Sequence, residues 1–167
     1  MKLEEAIKTA IEYETRIQDL YQKAAVTIKD PQGKMVLKAL GTDELHHMTY
    51  LLKTRDHWRE TGQLIVENLE STLPPMENIT GNINTFKSDL TMDNLGDEKL
   101  ILSRALNVEI ETSDFYRKMA EEMSDEAQRM FARFFELERQ HIEVVQAELD
   151  HLSKTGYWFG FKEFDME

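Results

Sequence analysis

Glu44-Leu45-His46-His47 and Glu138-Arg139-Gln140-His141 are two stretches in which a glutamate precedes a histidine by three residues. Side chains three positions apart on an α-helix share one face, so each stretch would aim a carboxylate and an imidazole at the same point. Four-helix bundles that bind two metal ions use this motif on two helices and add one glutamate from each of the other two. The two stretches therefore predict two helices of such a bundle and require two further glutamates elsewhere.

An internal repeat supplies those two glutamates. Residues 10–25 align with residues 105–120 at a shift of 95, and this alignment places Glu14 opposite Glu109. The two Glu-x-x-His segments align at a shift of 94, and in each half a Thr-Gly pair begins fourteen residues after the histidine. Each half of the chain is therefore interpreted as a helical hairpin that carries one inward glutamate and then one Glu-x-x-His pair.

The repeat predicts a set of six metal ligands. Any one of these residues could be a hydrogen-bonded core residue, but four buried carboxylates close together repel one another and are costly to desolvate unless cations offset both effects. Four carboxylates and two imidazoles suit a pair of iron or manganese ions. The predicted ligands are Glu14, Glu44, His47, Glu109, Glu138 and His141.

A third match, Glu148-Leu149-Asp150-His151, lies outside this set, because Thr54 replaces the glutamate in the other half. Its glutamate is ten residues beyond Glu138, which is about 15 Å along a helix axis. We expect this third pair at a solvated helix end. His46 lies about 100° around the helix from His47, and it is interpreted as a surface residue or as a residue that supports the ligands.

Apolar periodicity and capping signals predict an all-α fold with four helices. Asp30-Pro31 offers an N-cap followed by proline at the first helical position, and Ser124 is a candidate N-cap for the last helix. Gly62 and Gly156 can adopt the left-handed conformation that ends a helix. The predicted helices span residues 3–28, 31–60, 98–123 and 125–154.

Residues 63–97 contain Pro74-Pro75, two glycines and scattered Asn, Thr and Ser, which is typical of a loop. A bundle with one long crossover connection needs such a segment between its hairpins. Residues 1–156 are therefore predicted to form one domain, a bundle of two helical hairpins joined by this crossover. Residues 157–167 form an aromatic tail, which we expect to fold back on its own bundle or on a second subunit.

Composition limits the classes of partner. The 167-residue chain has a net charge of −12, which argues against nucleic acid or an anionic membrane as a partner. It contains no cysteine, which excludes disulfides, iron–sulfur clusters and thiolate metal centres. No apolar run approaches the ~20 residues of a membrane span, and no signal peptide opens the sequence. We therefore expect a cytoplasmic protein.

The hairpins resemble the ferritin-like di-iron superfamily, and in particular rubrerythrin-like proteins. The similarity is clearest in Ala105-Leu106-Asn107-Val108-Glu109 and in Phe134-Phe135-Glu136-Leu137-Glu138-Arg139-Gln140-His141. It covers nearly the whole chain except the crossover and the last dozen residues. The resemblance implies that Tyr21 and Tyr116 donate hydrogen bonds to ligand carboxylates, and each does lie seven residues, or two turns, beyond a predicted ligand. Ordinary aromatic packing is the alternative interpretation.

Two features depart from rubrerythrins proper. Those proteins have a second, cysteine-ligated iron domain that delivers electrons, which a chain without cysteine is expected to lack. They also carry another carboxylate one turn past the third-helix glutamate, where this chain has Thr112; Glu111 lies about 200° around the helix from Glu109. The symmetrical site of bacterioferritins is therefore the closer analogue. Asp43 could orient an imidazole, although Leu137 takes the equivalent place in the other half.

The resemblance implies an oxidoreductase with two iron ions, or with manganese or a mixed pair, that reacts ferrous iron with hydrogen peroxide or dioxygen. Electrons would come from an external donor. The alternative is a ferritin-like ferroxidase that stores or handles iron. The irregular crossover favours a homodimer over a closed shell, and a purely structural bundle would have no reason to align six ligands.

Overall fold

The fold consists of four α-helices, seen in a computed structural model that describes residues 1–65, 69–73 and 92–159. The helices are α1 (Leu3–Thr27), α2 (Pro31–Thr61), α3 (Met92–Glu122) and α4 (Asp125–Thr155). The described residues contain no β-strand, so the predicted all-α class is confirmed. Within this same part of the chain, none of the helices has an apolar stretch that could cross a membrane.

The predicted helix boundaries hold to within one residue except at the start of α3. This helix begins at Met92 rather than at residue 98, so the end of the predicted crossover is helical. Gly96 suggested a loop, but it lies exposed inside the helix. A single glycine costs a helix only about 1 kcal/mol relative to alanine, which continuation of the helix outweighs. Positions 66–68 and 74–91 of the predicted crossover lie outside the described residues.

The predicted caps form at most helix ends. The carboxylate of Asp30 accepts from the backbone N–H of Gln32 and Gly33 at 2.8 and 3.1 Å. Gly62 and Gly156 have φ values of 71° and 79°, the left-handed conformation that a side chain would strain. Ser124 stands at the N-cap position of α4, but among the described residues its side chain makes no capping hydrogen bond.

In both hairpins, the second helix ends in the same type of turn. The hydroxyl of Thr61 donates to a carbonyl one turn earlier at 2.8 Å and accepts from the N–H two residues later at 3.1 Å. Thr155 makes the same two contacts at the same distances. Leu64 and Trp158 follow at equivalent positions, and both are buried. The internal repeat thus extends beyond the helices into the segments that leave them.

The helices pack as two hairpins, and α1 and α3 form the most extensive contact between them. α1 packs against α2, α3 packs against α4, and α1 contacts α3. Two clusters of buried apolar side chains fill the bundle. One includes Ala10, Leu51, Tyr116, Phe131 and Phe134, and the other includes Ile17, Tyr21, Leu40, Val145 and Trp158. On α1, Glu14 falls between Ala10 and Ile17, so a polar layer separates the clusters.

The aromatic tail folds back on its own bundle as far as Phe159. Trp158 is 1% exposed, and its indole Nε1 donates to Glu98 Oε2 at 2.8 Å. It lies so close to Gly33 that a Cβ there would be 2.7 Å from the ring. The backbone N–H of Phe159 donates to Glu148 Oε2 at 3.2 Å. Positions 160–167 of the predicted tail lie outside the described residues.

The expectation that Glu148 and His151 occupy a solvated helix end is wrong. Glu148 is fully buried, because the returning tail covers it, and burial raises the pKa of its carboxyl well above the usual value. The ring of His151 contacts Phe159 edge to face, with centroids 5.3 Å apart, and partial burial lowers its pKa. Nothing in the sequence of α4 alone indicates that a later segment covers this end.

Trp158→Ala should destabilise the bundle by about 3–5 kcal/mol, the usual cost of truncating a buried aromatic side chain. The change removes the indole that packs on Gly33 and leaves the buried Glu98 oxygen without its donor. Urea unfolding would measure the loss. Trp58→Ala is the matched control, because Trp58 is only partly buried and should cost clearly less. Equal losses in the two variants would contradict this account of the tail.

Candidate metal centre

The six predicted ligands meet in the polar layer between the two apolar clusters. Each of their side chains is 0% exposed. One glutamate comes from each of α1 and α3, and one Glu-x-x-His pair from each of α2 and α4. Helical periodicity alone aims each pair inward, and packing of the two hairpins brings all six together. The residues are Glu14, Glu44, His47, Glu109, Glu138 and His141.

The ligand atoms form two groups of four that share two carboxylates. Within each group, one atom from every residue lies within 4.8 Å of the others. Glu44 and Glu138 belong to both groups, so they could bridge two cations. Each group is completed by one glutamate and one histidine: Glu14 and His47 in the group that we name the His47 position, and Glu109 and His141 in the group that we name the His141 position.

The two imidazoles point their Nδ1 atoms at the carboxylates. Nδ1 of His47 lies 3.6 Å from Glu14, 3.3 Å from Glu44 and 3.4 Å from Glu138. The two rings are stacked, with centroids 5.3 Å apart and planes 7° from parallel. Their Nδ1 atoms can therefore each serve one of two neighbouring cations.

The second imidazole is held more tightly. Nδ1 of His141 lies 2.6 Å from Glu44, 3.4 Å from Glu109 and 3.8 Å from Glu138. The short contact to Glu44 is a hydrogen bond, which requires a proton on one of the two atoms. A cation bound between them would replace that proton.

Buried polar atoms test whether the residues present fit a pair of cations. Within the described part of the chain, each of the four glutamates has at least one buried oxygen that lacks a hydrogen-bond partner, and so do both ring nitrogens of His47. Folded proteins rarely leave buried polar atoms unpaired. Carboxylate oxygen and neutral imidazole nitrogen are ligands suited to iron and manganese. The donor set therefore fits such a pair.

The four carboxyls form two pairs whose pKa values are shifted in opposite directions. Burial opposes ionisation of Glu14, but a hydrogen bond from Glu44 and the charge of His47 lower its pKa to about 2. The pKa of Glu109 is likewise lowered against burial, by Glu138 and His141. Burial and the neighbouring carboxylates instead raise the pKa of the shared Glu44 and Glu138 well above 4.5.

The imidazoles favour the charged form. Burial disfavours that charge, but the surrounding carboxylates outweigh burial and raise the pKa values of His47 and His141 well above 6.5. Without a cation, both imidazoles and the two shared carboxyls therefore hold protons more readily than free side chains do. Metal ligands must lose such protons before they bind, so cations and protons compete for this cluster.

Two tyrosines donate hydrogen bonds to the unshared glutamates, Glu14 and Glu109, each of which belongs to one ligand group only. Tyr21 donates to Glu109 Oε1 at 2.6 Å, and Tyr116 donates to Glu14 Oε1 at 2.6 Å. Both hydrogen bonds match the expectation from the resemblance, and each joins one hairpin to the other. Burial and the nearby carboxylates raise both tyrosine pKa values well above 10, so the hydroxyls remain donors. Tyr116 also packs on Phe134, with ring centroids 4.9 Å apart.

Asp43 hydrogen-bonds one imidazole, as sequence reasoning allowed, and lies near the second, which was not anticipated. Its Oδ2 accepts from Nε2 of His141 at 2.5 Å and lies 3.6 Å from Nε2 of His47. Because the stacked rings present Nε2 to the same side, one carboxylate lies near both rings. The available signal was that Asp43 precedes His47 by four residues and so shares its helix face.

Asp43, His47 and His141 form a third group whose atoms are close enough for a cation. The carboxylate of Asp43 is already occupied, however. It accepts from the hydroxyls of Ser71 and Thr72 at 3.0 Å each and from the backbone N–H of Thr72 at 2.7 Å. Asp43 is therefore interpreted as a support for the histidines.

Neighbouring polar residues leave the ligand set at six. Thr112 is fully buried, and its hydroxyl donates to the carbonyl of Val108 at 2.7 Å. Glu111 is exposed and pairs with Arg16 at 3.0 Å, so it does not provide a further carboxylate. His46 is exposed, which agrees with its interpretation as a surface residue.

No protein-family model and no curated protein matches this chain. Among solved structures, the chain is similar to a hypothetical protein from Pyrococcus furiosus, with a TM-score of 0.65 and 23% sequence identity. The similarity covers 92% of this chain and 92% of that one. At this level of identity, the similarity bears on the fold alone.

Proposed function

We propose that this chain is a rubrerythrin-like oxidoreductase that holds two iron ions, or an iron–manganese pair, and reacts ferrous iron with hydrogen peroxide or dioxygen. The observation that carries the proposal is the pair of buried four-ligand groups that share Glu44 and Glu138. A ferritin-like topology with a long crossover, a homodimer, a cytoplasmic location and an external electron donor belong to the same proposal.

An iron pair supplies two electrons, one from each ferrous ion, which is the number that reduces hydrogen peroxide to water or dioxygen to peroxide. Glu44 and Glu138 keep the two positions together, since each contributes to both groups. His47 and His141 are neutral when they act as ligands, so they limit the negative charge that four carboxylates bring.

The aromatic residues around the ligands hold their geometry. Tyr21 and Tyr116 fix one oxygen of each unshared glutamate and leave the other oxygen free to bind. The ring of Phe134 meets His47 edge to face, with centroids 5.5 Å apart. These buried rings keep bulk water from the layer and strengthen its electrostatic interactions.

One observation favours the alternative, a ferroxidase that stores or handles iron as its substrate. Thr112 stands where rubrerythrins have a further carboxylate, so the two positions have equivalent ligands. Storage requires a closed shell or a partner that encloses mineral. The mass of the native particle separates the two functions, because the enzyme needs only a dimer of the 19.6 kDa chain.

Anaerobic mixing of the ferrous-loaded protein with hydrogen peroxide tests the proposed reaction. We expect oxidation of both ions in each chain, much faster than oxidation of the same iron in buffer, because the ligands hold two electron donors side by side. Stopped-flow absorbance would measure the rate. Glu111→Gln, a change at an exposed carboxylate outside the cluster, should react as the wild type does. A rate equal to that of free iron would refute the proposal.

A further inference from the structure

We infer that the two cation positions differ in affinity and that the His141 position fills first, an inference that rests on the proposed function. The repeat gives the two positions the same ligand types, so their difference must come from groups outside the ligand set. Asp43 is such a group, because the other half of the repeat has Leu137 in its place.

The two imidazoles are not held equally. Nε2 of His141 donates to Asp43 Oδ2 at 2.5 Å. Nε2 of His47 lies 3.6 Å from the same oxygen, which is too long for a hydrogen bond. Within the described part of the chain, neither ring nitrogen of His47 has a hydrogen-bond partner.

The hydrogen bond to Asp43 makes His141 the better ligand. Donation from Nε2 fixes the tautomer that leaves Nδ1 free, orients the ring and raises its basicity. Partners of this kind typically change metal affinity about 10–100-fold. His47 has the same stacked orientation but lacks this hydrogen bond, so its position should bind the cation more weakly.

Asp43 is itself fixed by residues 69–73, a segment between the two hairpins. Ser71 and Thr72 donate three hydrogen bonds to its carboxylate. The segment is anchored in turn by Arg133, whose Nε donates to the carbonyl of Leu69 at 2.8 Å. Ser71 and Thr72 are therefore positioning residues for His141, because they act on it through Asp43.

Titration of the metal-free protein with Co²⁺ alone, under anaerobic conditions, tests this inference. Calorimetry would resolve the binding steps, and the visible absorption of Co²⁺ would report the geometry of each position. We expect two steps in the wild type, the first at least about tenfold tighter. His47→Ala should retain the tight step, and His141→Ala should lose it.

A pair of threonine variants separates positioning from general damage. Thr72→Val removes one hydroxyl that holds Asp43. It should weaken the first step, by less than the ~10-fold typical of losing the partner of the histidine itself, and leave the second step nearly unchanged. Thr112→Val is the matched control, because Thr112 is buried three residues beyond Glu109 and, within the described residues, its hydroxyl bonds to its own helix. It should change neither step.

Two equal steps in the wild type would overturn the inference alone. The inference also fails if His141→Ala retains the tight step and His47→Ala loses it, or if Thr72→Val and Thr112→Val behave alike. Absence of Co²⁺ binding at both positions would overturn the proposed function together with the inference, so the two failures remain distinguishable.

Discussion

Glu138→Gln should remove both metal ions from the chain, whereas Glu14→Gln should remove only one. Glu138 belongs to both four-ligand groups, and Glu14 belongs to one. Glutamine keeps the size of the side chain but removes its charge and one ligand oxygen. Metal analysis of protein from iron-supplied cells should give about two ions per chain for the wild type, as expected of a di-iron bundle. It should give nearly none for Glu138→Gln.

Glu148→Gln is the matched control for this experiment. Glu148 lies on the same helix as Glu138 and is equally buried, but it belongs to neither group of ligand atoms. This variant should keep the metal content of the wild type. If Glu138→Gln and Glu148→Gln hold the same amount of metal, or if the wild type holds none, the assignment of shared ligands is wrong.

The predicted part of the site depends only on helix geometry. Residues three, four or seven positions apart share a face in any helix, so the repeat was sufficient to select the six clustered residues. The two tyrosines were indicated by the resemblance, and their spacing agreed with it. The hydrogen bond between Asp43 and His141 depends on how the two hairpins are rotated against each other. No pattern within one helix encodes that rotation.

The two errors of sequence reasoning have a similar physical origin. Glu148 was expected in solvent because its own helix ends nearby, yet Trp158 and Phe159 return to cover that end. Gly96 was interpreted as part of a loop, although an exposed glycine weakens a helix without ending it. In both cases, a local signal was overridden by contacts or by helix continuation that the local sequence does not specify.

The metal-free protein should lose stability as the pH rises above about 6, and the metal-loaded protein should not. The pKa values of His47 and His141 are raised in the fold, so their contribution is complete below the unfolded value of about 6.5. It is lost as the pH rises through the folded values. The raised pKa values of Glu44 and Glu138 act in the same direction from about pH 4.5 upward.

The groups with lowered pKa values do not cancel this trend. Glu14, Asp43 and Glu109 contribute stability that is present above their unfolded pKa values and is lost as the pH falls. Their contribution is therefore constant above about pH 6. Each proton that the folded chain holds and the unfolded chain does not should lower the unfolding free energy by about 1.4 kcal/mol per pH unit.

Urea unfolding between pH 6 and pH 9, with and without Mn²⁺, measures this effect. Comparison of the metal-loaded with the metal-free protein also controls for Glu98 and Glu148. Both carboxyls have raised pKa values, but both lie outside the cluster, so they should affect the two curves equally. The difference between the two curves therefore isolates the ligands. Loading at pH 6 should also release protons from the imidazoles and the shared carboxyls. Parallel curves, or loading without proton release, would show that protons and cations do not compete for these six side chains.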